Sequence, residues 1–533
     1  MDPIAAARDI LPFWIGWLSL ILLPPFMALC VAASVYLGGL VSITPYRRLK
    51  PDEWTAKARL LWPHRLGMGT SSFLFPVLAG VLAAYNHTPL SPLPAGVAAL
   101  LSGTAAFAAV QVVALQFERS YTLRVSTIRP RDWVIGPLSY ALIMFPHVVY
   151  GSLVGLLSPS SLGWVFAVMF VTGAVALTLT LRYGSMLLAS RLGVAQPADA
   201  RLTAIVGEAV ARTGAAPPES NWVVSWRMAN AFALPAHRAL LFTKPAMDAL
   251  DDAQLTAIAA HELGHLDEPS SAWLGRFGVI YLIYTFMATL GVLIATSWLA
   301  VLIGLVMVLA AVVTLQRVGR AMEERSDDMG HAHEGDPGTY ASALEELYRF
   351  NLMPVVMGDS KRPHPDLYDR MIKAGVTPDY PRPEPPSKRW FNAGGVVSLI
   401  VFVVLCTSLL VNIMFIPIED TSSIHLKIAL QSEVAWELSE LALNRYQEND
   451  LQGSATLYAA AEQLSDNPYY GLNLALTQAN MGACDDAVLT LARVTEADGE
   501  TGDLSEDPSL SQLHLNAKQA IDGCKPMKTD PAP

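Results

Sequence analysis

Residues 251–269 read DDAQLTAIAAHELGHLDEP. Asp251 is a good N-cap, and Gln254, three residues on, sits where a capping box needs it. Leu255, Ala259, Leu263 and Leu266 recur at helical spacing and Pro269 lies past the end, so the stretch predicts a helix with one apolar stripe. On such a helix His261 and His265, four residues apart, share a face, and both imidazoles can offer a nitrogen to one ion. Glu262, one residue round, stands beside the ion's open position. There it can take a proton from a bound water and pass it to a leaving amine. Such a site needs a third ligand.

The surrounding chain is too oily for an ordinary soluble protein. Of its 533 residues 52% are hydrophobic and 16% charged, and its mean hydropathy is +0.36, which points to a bilayer as solvent. Eight apolar runs are long enough to cross it, near 14–42, 66–85, 93–116, 133–157, 160–180, 275–295, 297–316 and 393–417. The first lacks a basic leader and a cleavage site and is read as a retained helix, with a kink expected at Pro24 and Pro25. Lysine and arginine fall on one side only. Arg47, Arg48, Lys50, Lys57, Arg59 and Arg65 follow the first run, and Arg119, Arg124, Arg129 and Arg131 follow the third, whereas the short loops at 86–92 and 158–161 have none. By the positive-inside rule the N-terminus is expected outside, segment 181–274 in the cytoplasm, and everything after the eighth run outside again.

After the sixth and seventh runs the chain returns with QRVGRAMEERSDDMGHAHEGD, 316–336. Glu323 and Asp327 are four apart, as are Glu324 and Asp328; either pair can give one carboxylate to a metal and another to a ligating histidine. Spacing does not choose between them.

His261-Glu262-x-x-His265, two membrane spans and then Arg-x-x-Glu-x-x-small-Asp resemble the membrane zinc metallopeptidases that include HtpX and the type I CAAX prenyl endopeptidases. Matching Arg320, Glu323, Ser326 and Asp327 to that pattern implies that Glu323 is the third zinc ligand and that Asp327 supports a ligating histidine. Upstream, RMANAFALPAHRALLFTKPAMDAL resembles the family's Asn-Ala-Phe edge strand, which implies that Asn230, Ala231 and Phe232 hold an extended substrate by main-chain pairing. Read without the resemblance, Phe232 is a core residue of an amphipathic strand pair. Downstream, KRPHPDLYDRM resembles the family's His-Pro motif, implying that His364 and Arg370 face the oxyanion formed as water attacks. The resemblance covers roughly 180–380. It leaves LDEPSS after His265, and the pair His331 and His333, without counterparts.

The tail, 418–533, carries 19 acidic against 6 basic side chains, so its balance of −13 exceeds the −11 of the whole chain. With no basic stripe anywhere, nucleic acid is not an expected partner. The segments ENDLQGSATLYAAAEQL and MGACDDAVLTLARVTEA recur about 33 residues apart, which suggests tetratricopeptide-like helix pairs able to bind a protein partner. Cys484 and Cys524 both fall in this tail, where an oxidising compartment permits a bridge; two buried thiols are the alternative.

The expected fold is mainly α: a polytopic membrane protein with about eight transmembrane helices, a small α+β zinc metallopeptidase domain and a C-terminal helical, tetratricopeptide-like domain. Its expected boundaries are a five-helix membrane region at 1–180 and a metallopeptidase domain at 181–380 with two inserted spans (275–316). A proline-rich linker at 381–392 follows, expected to let catalytic and tail domains move independently. The last span is placed at 393–417, the helical tail at 418–525 and a disordered end at 526–533. Three nitrogen or oxygen ligands with one open position favour a single Zn2+. The expected function is an integral endopeptidase of the plasma or inner membrane, cytoplasm-facing, that cleaves membrane or unfolded polypeptides in protein quality control. The alternatives are a CAAX-type processing protease and a non-catalytic scaffold that recruits partners through its tail.

Overall fold

The computed structural model describes residues 14–85, 95–121, 130–157, 163–296, 298–358, 365–414, 434–501, 504 and 507–525. Packing divides the chain into two units, one of 28–77 and 103–403, the other of 1–27, 78–102 and 404–533. Among the described residues seven helical stretches are long and apolar enough to cross a membrane. They lie in α1 (Trp14–Ser42), α2 (Trp54–Tyr85), α3 (Ala95–Tyr121), α6 (Trp164–Leu179, continuing through a π-turn, Thr180–Gly184, into α7, Ser185–Arg191), α10 (Ser270–Thr296), α11 (Trp298–Ala332) and α14 (Lys388–Met414). The protein is a multi-pass membrane protein. α1 passes through Pro24 and Pro25 as one helix.

The fourth expected span, 133–157, is not a straight rod. It forms α4 (Pro130–Met144) and α5 (Pro146–Leu157), which meet at Phe145 with a bend of 94°. Pro146 explains the break: proline cannot donate to the preceding turn, and its ring disfavours helical geometry at the residue before it. Helices of 15 and 12 residues reach only about 22 and 18 Å, each short of a hydrocarbon core of roughly 30 Å. α5 lies tightly on α10, where a Cβ at Gly151 would come within 2.8 Å of Met287 Cβ and 2.9 Å of the Tyr284 carbonyl.

The segment that follows α7 is built on one four-stranded sheet, β1 (Ala195–Pro197), β2 (Ser220–Val224), β3 (Ala231–Leu234) and β4 (Ala239–Thr243), in the order β1-β2-β4-β3. β2 and β4 are parallel; the other pairs are antiparallel, with Ala231 opposite Phe242 and Leu234 opposite Ala239. β4 is central and buried on both faces, its side chains alternating with the period of the pleat. Leu240 and Phe242 join a core shared with α8 (Ala200–Thr213), α9 (Asp252–Leu266), α12 (Thr339–Asn351) and α13 (Leu367–Lys373). Ala239 and Leu241 face the other way, onto Trp226, Met186 of α7 and Ile143 of α4. β3 is thereby left at the edge.

α9 starts with the expected capping box: Asp251 Oδ1 accepts from Gln254 N at 2.8 Å, and Gln254 Oε1 accepts from Asp251 N at 3.1 Å. Its ten residues from Leu255 to Gly264 are all buried. α11 runs 35 residues, about 52 Å, far more than a bilayer core needs, so its C-terminal half projects beyond the apolar run. α9 crosses this projecting half at Gly264, where a Cβ would lie 2.9 Å from Ser326 Oγ and 3.1 Å from Ser326 Cα.

The proline-rich linker is not loose. α14 begins at Lys388, inside the boundary drawn at 392. Tyr380 packs edge-on against Trp54 at 5.7 Å, and Glu384 pairs with Arg59 at 2.8 Å, so the segment is held against the start of α2. The chain is pinned there because its aromatic and charged side chains find partners that its proline content does not disclose.

The tail contains α15 (Ala435–Gln447), α16 (Leu451–Leu464), α17 (Pro468–Asn480), α18 (Cys484–Thr501) and α19 (Pro508–Asp522), each packed on its neighbour through small and large apolar residues. Cys484 and Cys524 form a disulfide across 40 residues, with Cα atoms 5.8 Å apart, which decides between the two readings of this pair. The end expected to be disordered, 526–533, the loops at 86–92 and 158–161, and 418–433 lie outside the described residues.

Valine in place of Gly264 should force α9 off α11. The expected cost is about 1–3 kcal/mol of overpacking, read as a lower unfolding midpoint of the purified protein together with reduced bound zinc. A variant with unchanged midpoint and metal content would show that the crossing is not tight.

Candidate metal centre

The α9–α11 crossing sets Glu323 opposite the histidine face of α9. His261, His265 and Glu323 each offer one ligand atom, and these three atoms lie within 4.8 Å of one another. His261 Nε2 is 3.7 Å from Glu323 Oε2 and His265 Nε2 is 3.5 Å from Glu323 Oε1. Two imidazole nitrogens and one carboxylate oxygen form a donor set suited to zinc with a position left open. The other carboxylate register points elsewhere: Glu324 pairs with Arg320 at 3.3 Å and Asp328 with Lys373 at 3.0 Å, both at exposed positions.

Hydrogen bonds behind the histidines fix which nitrogen each presents. The Tyr340 hydroxyl donates to Asp327 Oδ1 at 2.8 Å, so at 2.7 Å from His261 Nδ1 it accepts that nitrogen's proton. Nε2 of His261 then carries the lone pair, on the Glu323 side. Arg370 Nη2 ion-pairs with Asp327 and donates to the Tyr340 hydroxyl at 3.0 Å. Burial pushes the Tyr340 phenol well above its ordinary pKa, which keeps it a donor.

His265 is held by a second arrangement, from the stretch that had no counterpart in the resemblance. Its Nδ1 lies 2.8 Å from Glu268 Oε1, and Arg276 Nη2 donates to the same oxygen at 2.8 Å. The Glu268 side chain is only 1% exposed, and Arg276 supplies the countercharge that a buried carboxylate needs. Burial works against charging His265, but hydrogen bonds to Glu268 and Glu323 and the nearby Glu262 carboxylate outweigh it and push its pKa up to about 10. Proton and metal therefore compete for one imidazole.

The remaining expected site residues fall as follows. Glu262 is buried on α9, between the two histidines in sequence. Asn230 precedes edge strand β3, donates its N–H to Thr243 Oγ1 at 2.9 Å and accepts from Thr243 N at 2.9 Å. Ala231 turns into the core shared with α9. The Phe232 ring packs with Trp226 at 5.6 Å and Tyr140 at 6.2 Å, so that side chain is committed behind the sheet. Arg370 is engaged with Asp327 and Tyr340 as above. His364 lies outside the described residues. His331 and His333 stand apart from the metal group, beside Glu334 at 3.1 Å and the Met329 carbonyl at 2.9 Å.

Sequence reasoning missed Tyr340, Glu268 and Arg276. Glu268 carried a signal, since it lies only three residues beyond His265, just past the end of α9. Tyr340 carried none: it is 79 residues from His261 and reaches it only through the packing of α12.

Among curated proteins none matches this chain. The solved structure of S. mikatae Ste24p is similar at 13% identity and a TM-score of 0.39, over 66% of this chain and 98% of that one. Residues 197–375 match peptidase family M48. That segment contains all three candidate ligands and their supporting residues, so the similarity to the M48 peptidases falls on the metal centre and the elements that hold it.

Proposed function

We propose that this protein is a zinc-dependent endopeptidase that cleaves membrane or unfolded polypeptides in protein quality control. The observation that carries the reading is the convergence of His261, His265 and Glu323 within 4.8 Å, with Glu262 on the same helix as the two histidines. These three side chains would hold one Zn2+. When bound, zinc polarises the scissile carbonyl and lowers the pKa of a water. Glu262 takes the proton from the attacking water and delivers it to the leaving nitrogen. Asp327 and Tyr340 keep the His261 ring in one tautomer, Glu268 does so for His265, and Arg370 holds Asp327 ionised. Arg370 and His364 are assigned to the oxyanion on the family resemblance.

β3 receives the substrate as a strand added to the sheet edge along Asn230, Ala231 and Phe232, with Ala231 the one of the three whose main-chain groups turn outward. Pairing of this kind makes little demand on side chains, which suits an enzyme that acts on unfolded polypeptide. The Lys- and Arg-rich loops support a cytoplasmic metal centre. The Cys484–Cys524 bridge supports an oxidising compartment for the tail, which we read as a tetratricopeptide-like stack open to a protein partner.

Glu262→Gln should retain wild-type zinc content in the purified protein while cleavage of an unfolded casein-like substrate falls by about a hundred- to ten-thousandfold. Equal cleavage by both forms would remove the proposed base. Cleavage of a farnesylated peptide by a wild type that leaves casein intact would replace quality control with prenyl-protein processing.

Glu268→Gln should weaken zinc binding by about ten- to a hundredfold, measured by competition with a fluorescent chelator. An unaltered affinity would mean that Glu268 does not orient His265.

For sidedness, Cys484 in intact cells should resist a membrane-impermeant maleimide until an impermeant reductant is added. Labelling that requires permeabilisation but no reductant would reverse the orientation.

A further inference from the structure

β3 ends its sheet, and in an antiparallel pair successive residues alternate between bonding to the partner strand and turning their main-chain groups away from it. The Asn230 carbonyl accepts from Thr243 N at 2.9 Å. This puts Asn230, and by the period of two Phe232 and Leu234, on the set that bonds to β4. Ala229, Ala231 and Ala233 therefore direct N–H and C=O to the outer edge.

At Ala229 that edge is already taken. Its N–H donates to Asn351 Oδ1 at 2.9 Å and its C=O accepts from Asn351 Nδ2 at 2.7 Å. A carboxamide presents its carbonyl acceptor and the N–H syn to it on one side, so this side chain satisfies Ala229 as the C=O and N–H of a residue in a neighbouring strand would. Asn351 is itself anchored. It is the last residue of α12, the carbonyls of Asn351 and Leu352 accept from Arg65, and the Arg65 guanidinium grips Glu118 through Nε and Nη2, each at 3.0 Å. Exposure follows the same gradient: Ala229 is 0% and Ala231 4% exposed, while Ala233 is half-buried. The edge is sealed at one end and opens toward the other.

We propose that Asn351 sets the end of the substrate strand. By occupying the Ala229 position it confines an extended polypeptide to pairing with Ala231 and Ala233, and so limits how many residues are held on one side of the scissile bond. This rests on the protease reading above. Asn351 is a specificity-determining residue on that reading, with no part in the chemical step.

The test uses the full-length enzyme and nested peptides of one sequence with a single cleavage site, lengthened one residue at a time on either side. For the wild type kcat/KM should stop rising at a fixed length on one side. In Asn351→Ala it should rise about fivefold further over the next two residues on that side, the worth of one added hydrogen-bonded pair. The other side, and zinc content, should not change. Asn351→Asp is isosteric, keeps the acceptor for the Ala229 N–H and loses the donor, so it should shift the profile the same way by less. It carries the test if the alanine variant does not fold. Wild-type length profiles in both variants overturn the proposal, as does an equal loss at every length, which marks a purely structural role. Failure of the wild type to cleave any peptide overturns the protease reading first, and is distinguished by needing no variant.

Discussion

The site depends on a single close approach of two helices. α9 can bring His261 and His265 to Glu323 only because position 264, between the two histidines, has no side chain and faces Ser326. The two residues sit one position before His265 and three after Glu323, so the backbone contact and the ligand contact belong to the same turns of helix. A larger residue at either place would open the crossing by ångströms, and three ligand atoms within 4.8 Å of one another leave no slack for that.

The membrane supplies the other half of the constraint. α10 and α11 carry the chain away from the histidine helix and back, and the excess length of α11 lifts Glu323 and Asp327 past the apolar run on the same rigid rod. A rod of hydrogen-bonded backbone transmits position without a loop's freedom, so packing of the spans, including the glycine contacts of α5 on α10, bears on where Glu323 stands. On the proposed function, hydrolytic chemistry at the end of a membrane helix would have a physical logic: the apolar part of the rod would position the ligand, and the reaction would occur where a polypeptide could reach a sheet edge in water.

Around the ligands the chain has invested in two unlike supports for two like histidines. His261 is backed by a neutral phenol shared between Asp327 and Arg370, His265 by a buried carboxylate neutralised by Arg276. Both leave Nε2 turned toward Glu323. The cost of burying Asp327 and Glu268 is offset in each case by a guanidinium from another element, so each support also ties α13 or α10 to the centre.

The amino-acid order by itself determined the local and the repetitive: apolar runs long enough for a bilayer, the capped helix 251–266, the pairing of His261 with His265, and the edge hairpin at 231–243. Each is a short-range consequence of side-chain period and backbone chemistry. Tertiary structure alone decided what depends on distant elements meeting. Spacing left the carboxylate register open and only the family resemblance chose it; in the fold Asp327 and Glu323 turn inward while Asp328 and Glu324 face Lys373 and Arg320, because α9 covers one face of α11 and leaves the other exposed. Phe232 packs behind the sheet against Tyr140, the linker is clasped by Trp54, and the 133–157 run breaks at Pro146. Tyr340 and Asn351 reach α9 and β3 from one helix some 80 to 120 residues downstream. No spacing rule encodes such meetings, because they are set by how whole helices pack and not by which residues adjoin in the chain.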